Sequence, residues 1–228
     1  MLHGPNLWPA QIPELRDLAL QWIERCQEVG IVLLRAWAES LGAPAGGFFD
    51  DAFADPDPLL KIARYPGHDR SVTGQGVGSH KDVGVLTLLY PEPGSTGFQV
   101  EHEAPGSTWR RSPAASSSTS GGTARAGHRR LPGGHRTPVL PPAPGTDRIS
   151  LPFFLNPGLD QALPTVPLPS ELAAAARGVG TDEHGGTLHS VYGLNALKSR
   201  LRAHPNVTER YHAELSNSPV LSDRGSTL

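Results

Sequence analysis

Gly76-Val77-Gly78-Ser79-His80-Lys81-Asp82-Val83-Gly84-Val85-Leu86-Thr87-Leu88-Leu89-Tyr90 is the stretch that decides how this chain folds. From Val83 to Tyr90 the run is apolar without alternation, which predicts a strand buried on both faces rather than a surface strand. Just before it, His80 and Asp82 stand two apart. On an extended chain such neighbours share a face, so both can close on one small object while Lys81 points away. A histidine and a carboxylate supply part of the two-histidine, one-carboxylate face of an open iron(II) site. An isolated His-x-Asp is more often an ordinary strand terminus. Here the glycines and serine before it and the buried strand after it set the pair at the mouth of a core strand.

Working toward the amino end, Leu59-Leu60-Lys61-Ile62-Ala63-Arg64-Tyr65 reads as a strand stopped by Pro66-Gly67, and residues 48–53 as a short helix. Over residues 13–41, Leu15, Leu18, Trp22, Cys26, Val29, Leu33 and Trp37 recur at threes and fours, the stripe of a long amphipathic helix. Pro13 suits its first turn and Gly42 with Pro44 its end. Cys26 is the single cysteine; it excludes an internal disulfide, and its helical position favours a small buried hydrophobe over a nucleophile. In the other direction, Gly97-Phe98-Gln99-Val100-Glu101 is a strand.

The composition then changes. Of the 44 residues in 104–147, 25 are Gly, Pro, Ser or Thr, and none is Ile, Phe, Tyr or Glu, so the span is expected to be irregular or disordered. The globular pattern resumes at Arg148-Ile149-Ser150-Leu151-Pro152-Phe153-Phe154-Leu155, a strand. Residues 170–177 and 195–203 read as helices, with a frayed tail after Ser216. His184 and His189 lie in glycine-rich polar sequence and read as loop.

With 228 residues, the chain can bury one substantial core. A formal charge of −2 and a pI near 6.5 argue against nucleic acid or an anionic membrane as partner. No apolar run reaches the roughly 18 residues that cross a bilayer, and the first residues lack the basic and apolar regions of a secretory signal. These features point to a cytoplasmic protein.

Several pieces together resemble the isopenicillin N synthase-like branch of the 2-oxoglutarate/iron(II)-dependent oxygenases. They are Leu2-His3-Gly4-Pro5-Asn6-Leu7-Trp8-Pro9; Lys61-Ile62-Ala63-Arg64-Tyr65-Pro66; Gly78-Ser79-His80-Lys81-Asp82 with Leu86-Thr87-Leu88-Leu89; Gly97-Phe98-Gln99-Val100; Arg148-Ile149-Ser150 with Pro152-Phe153-Phe154; and Tyr192-Gly193-Leu194-Asn195-Ala196-Leu197-Lys198-Ser199-Arg200. The resemblance implies an α+β chain with a mainly β core, the double-stranded β-helix or jelly roll, flanked by a long N-terminal helix and C-terminal helices. The implied layout is a helical flank over 1–60, the core over 61–160 and a helical segment with tail over 161–228. Family members carry a longer amino-terminal region, so the chain is expected to be truncated there.

The resemblance also implies roles. His80 and Asp82 match the first two iron ligands. Arg148 and Ser150 match the Arg-x-Ser pair that holds the distal carboxylate of 2-oxoglutarate, or a substrate carboxylate in the synthase. A guanidinium fork suits a carboxylate, and a hydroxyl on the same face adds a third hydrogen bond. Tyr65 matches a tyrosine that holds the same carboxylate, although Ala63 stands where relatives have asparagine. The third ligand departs from the pattern: counting back from Arg148, the family spacing reaches Thr137, which is no ligand. His135 would share a strand face with that position and is the available substitute; His128 is a poorer one.

The genetic code offers a reason. Ser117-Ser118-Thr119-Ser120-Gly121 can be encoded so that a shifted frame reads Val-Asn-Ile-Gly, and Gly127-His128-Arg129-Arg130-Leu131-Pro132 so that it reads Ala-Thr-Gly-Gly-Tyr-Leu, both family-like. Thr137-Pro138 gives His-Arg in the same way. The middle of the chain is therefore expected to be a wrong frame between compensating insertions or deletions, with the core incomplete by two strands.

The implied function is an iron(II)- and 2-oxoglutarate-dependent dioxygenase acting with O2 on a small molecule. The alternative is a catalytically inactive remnant with an incomplete metal site. A metal hydrolase on a related cupin-type barrel is disfavoured by Arg148-x-Ser150 and the Pro-Phe-Phe that follows.

Overall fold

A computed structural model describes residues 4–67, 77, 82, 84–95, 97–101, 108–110, 117–120, 139–166, 169–170 and 188–215. The expected iron ligand His80 lies outside the described residues, as do His128, His135, Thr137, His184 and most of the expected helix over 170–177.

The longest strand organises the fold. β7 (Asp147–Leu155) pairs antiparallel on one side with β1 (Leu59–Leu60) and β2 (Ala63–Pro66), and on the other with β3 (Leu86–Pro91). β6 (Ser117–Ser120) pairs with the far edge of β3, which completes a five-stranded sheet, and β4 (Gln99–Glu101) pairs with β5 (Thr108–Arg110) in a second, two-stranded sheet. The strand expected from 59 to 65 is thus two short strands on one partner. At the break Lys61 still donates its N–H to the Pro152 carbonyl at 3.0 Å.

Period two divides β7 between two environments. Phe153 and Leu155 are fully buried in the core with Val85, Leu86 and Leu88, whereas Arg148, Ser150, Pro152 and Phe154 line a cavity on the opposite face. The expectation of a strand buried on both faces holds for β3, whose first four residues are all buried.

Helix α1 (Leu15–Ser40) covers the core face. Its buried residues are Ala19, Cys26, Gly30, Leu34 and Ala38, while Leu18, Val29 and Leu33 of the expected stripe are 58%, 53% and 41% exposed. Trp22 and Trp37 of that stripe still pack, partly buried, against the core, while the line of closest approach beside them is made of small residues. A Cβ on Gly30 would stand 2.6 Å from Leu155 Cδ2. Cys26 is buried as expected, and burial pushes its thiol up from the ordinary value.

The short helix expected over 48–53 is a 3-10 turn, Asp50–Phe53. The helix expected over 195–203 is α2 (Tyr192–Ala203), followed by α3 (Pro205–Tyr211), which the sequence pattern did not announce.

The reading of 104–147 as wholly irregular needs correction. β5 and β6 lie inside it, and Val139 bridges both Val77 and Phe98. A strand ladder is made by main-chain groups, so Ser117–Ser120 can satisfy the open edge of β3 although its side chains contribute little β propensity.

Candidate functional site

The cavity on the second face of β7 has a volume of about 310 Å³. Its walls come from three strands in register: Tyr65 opposite Arg148, Ala63 opposite Ser150, and Thr87 opposite Phe154. Asp82, Val77, Phe98 and Val139 close it from the loops. Four positions singled out from sequence, Tyr65, Asp82, Arg148 and Ser150, therefore meet in one cavity.

Arg148 lies deepest. It is 2% exposed, and its Nε and one terminal guanidinium nitrogen are buried without a hydrogen-bond partner. The guanidinium carbon sits 4.3 Å from the centroid of the Tyr65 ring, a cation-π arrangement. Burial lowers the Arg148 pKa from its ordinary value, while Tyr65 and Glu92 act in the opposite direction. Among the described residues no carboxylate pairs with it; Glu92 instead accepts the Ile149 N–H at 2.9 Å. Ser150, two residues on, is equally buried and faces the same space.

Asp82 enters the same cavity from the β3 side. Its Oδ2 accepts the Thr87 hydroxyl at 2.6 Å, a charge-assisted bond that orients the carboxylate. Thr87 is only 6% exposed. Gly84 lets the chain pass from Asp82 into β3: a Cβ there would lie 2.2 Å from Asn156 Oδ1, and Asn156 is itself tied to the Asp57 carbonyl. Among the described residues no three His, Cys, Asp or Glu side chains form a metal-binding group.

Two cavity residues had no role in the sequence reading. Thr87 is the one polar side chain in the apolar run, a signal that was present. Lys61, at the opposite end of the cavity from Arg148, had none, because lysine on a short strand reads as surface. His189 stands apart from the site: Asn195 clamps its backbone, accepting from the N–H at 2.9 Å and donating to the carbonyl at 2.8 Å.

Residues 56–157, which contain every cavity wall, match the family model of the 2OG-Fe(II) oxygenase superfamily. That stretch of the chain is similar to the superfamily. The chain is 36% identical over 104 residues to a 2-oxoglutarate-dependent dioxygenase of Penicillium crustosum, across 44% of this chain and 32% of that protein. It is 29% identical over 231 residues to a 2-oxoglutarate-dependent dioxygenase of a Dothideomycetidae species, across 92% of this chain and 61% of that protein. The chain thus spans less than two thirds of the curated relatives it matches. A solved 2OG-Fe(II) oxygenase family protein from Caulobacter crescentus superposes with a TM-score of 0.68 at 24% identity, covering 88% of this chain and 63% of that one. The likeness shows the shared fold, the jelly roll with flanking helices, in an α+β chain.

Proposed function

We propose that the protein is a non-haem iron(II)-dependent oxygenase of the isopenicillin N synthase-like branch. It would consume 2-oxoglutarate and O2 in the cytoplasm and oxidise a small molecule. The observation that carries this reading is the buried Arg148, with two unpartnered guanidinium nitrogens in the same cavity as Asp82. An uncompensated buried charge costs on the order of 3–5 kcal/mol, so the cavity is built for an anion. A fork of donors fits a carboxylate bidentately.

The donor set suits both groups. Asp82 offers a hard oxygen held by Thr87, and His80 stands two residues before it in sequence. The third metal position falls to His135, unless a shifted reading frame hides a histidine near position 137; sequencing the coding DNA across 104–147 distinguishes the two. When bound, iron supplies the oxygen activation and 2-oxoglutarate the electrons. The chain's own residues do the rest. Arg148 and Ser150 hold the distal carboxylate, Tyr65 supports the guanidinium, and Leu89, Phe98, Val139 and Phe154 keep the cavity apolar.

The test is anaerobic calorimetric titration of the protein with iron(II) and 2-oxoglutarate, followed by O2-dependent succinate release. Binding that Arg148→Met abolishes, together with succinate formation, supports the reading. Binding without succinate returns the inactive remnant, and absence of 2-oxoglutarate binding refutes the assignment.

A further inference from the structure

We infer that Lys61 selects an anionic substrate, so that the small molecule oxidised carries a carboxylate or a group of the same charge. The inference rests on the reading above for the division of the cavity into a co-substrate end and a substrate end.

Among its described lining residues the cavity holds two cations, far apart. Arg148, Ser150, Pro152 and Phe154 succeed one another along β7, and Lys61 sits across from Pro152 through its backbone bond. Four residues of strand separate Arg148 from Pro152, roughly 13 Å at about 3.3 Å per residue. One short dicarboxylate cannot engage both cations and a metal held at Asp82. Lys61 belongs to the other end, where its Nζ lies 5.2 Å from the centroid of the Phe154 ring.

Charge balance points the same way. A divalent metal, a dicarboxylate, Asp82 and Arg148 cancel, and among the described lining residues Lys61 is then the one unbalanced charge. No carboxylate of the described residues forms an ion pair with it. Its partner is an aromatic face, which holds the ammonium over the cavity without neutralising it. Phe154, Pro152 and Ala63 beside it are apolar, so the substrate expected is amphipathic: an apolar body against Phe154 and an anionic end at Lys61.

The experiment measures binding by calorimetry, without turnover, on protein held anaerobically with iron(II) and saturating 2-oxoglutarate so that Arg148 is occupied. The probes are matched acids and primary amides: benzoate with benzamide, phenylacetate with phenylacetamide, octanoate with octanamide. Charge pairing at an exposed ammonium predicts that at least one acid binds roughly threefold more tightly than its amide. Lys61→Met should erase that preference and Lys61→Arg keep it. No preference in any pair, or one that survives Lys61→Met, overturns the inference. Should 2-oxoglutarate fail to bind, the proposed function fails separately. The pairs are then titrated in an Arg148→Met background, where Lys61 is the one cation among the described lining residues that can supply the preference.

Discussion

The Arg148 guanidinium stacks on the ring of Tyr65, 4.3 Å from its centroid, and the two residues are direct partners across the β2–β7 ladder. Register alone brings them together, and the ring holds the cation without supplying an anion. If stacking is the main role of Tyr65, Tyr65→Phe should bind 2-oxoglutarate within about threefold of wild type, and Tyr65→Leu about tenfold more weakly, from a contact of roughly 1–2 kcal/mol. Calorimetry on both variants checks it; equal losses would assign the role to the hydroxyl instead.

Arg148→Met should separate stability from binding. Without ligand the variant loses a buried, half-satisfied charge, so its Tm should equal or exceed that of wild type. With 2-oxoglutarate present wild type should gain stability by mass action and the variant should not. Thermal melts with and without the ligand test this, and a variant less stable in both conditions would make Arg148 a structural residue.

Thr87→Val keeps the shape of a buried side chain and removes the hydroxyl that donates to Asp82. Partners that orient metal ligands typically contribute about 10- to 100-fold in affinity. Iron(II) affinity should fall within that range while 2-oxoglutarate binding through Arg148 persists. Unchanged metal affinity would leave Thr87 a strand residue only.

Gly30→Ala tests the packing of α1 on the sheet. The added methyl would meet Leu155 Cδ2 at 2.6 Å in the fully buried core. Overpacking of this kind costs roughly 1–3 kcal/mol, against a helix-propensity gain of about 1 kcal/mol. Net destabilisation is expected in denaturant melts, and relief by Leu155→Val would identify the clash as its cause.

Arg64 and Asp147 close the outer end of the β2–β7 ladder, with Arg64 Nε donating to Asp147 Oδ2 at 2.8 Å. Hydrogen bonding to Arg64 holds the Asp147 carboxyl below its usual range. Because the folded pKa is the lower one, the stabilisation is present above the unfolded pKa near 4 and fades as pH falls through the folded value. Asp147→Asn should therefore be slightly less stable than wild type at pH 7 and indistinguishable from it in strong acid. Both groups are solvent-exposed, so the difference at neutral pH is expected to be small.

Residues 104–147 show where pattern reading stops. Their composition predicts no strand, yet β6 pairs with β3 residue for residue from Leu86 to Leu89. What recruits Ser117–Ser120 is the unpaired edge of β3, a property of the sheet and not of the serines. The same limit applies to α1, where the periodicity announced the helix and placed Trp22, Cys26 and Trp37 on its core side, but Leu18, Val29 and Leu33 face solvent.

The sequence by itself determined β3 and β7, because long apolar runs have no stable place but a core. It also carried Asp82, through its spacing from His80, and Tyr65, Arg148 and Ser150, through the resemblance to a known family. Only the tertiary structure decided that Arg148 is buried without a counter-ion among the described residues, that Thr87 holds Asp82, and that Lys61 faces the cavity across from Pro152. Those facts depend on strand register and on which groups burial leaves unpaired. Both are relations between segments distant in the chain, and no local pattern encodes them.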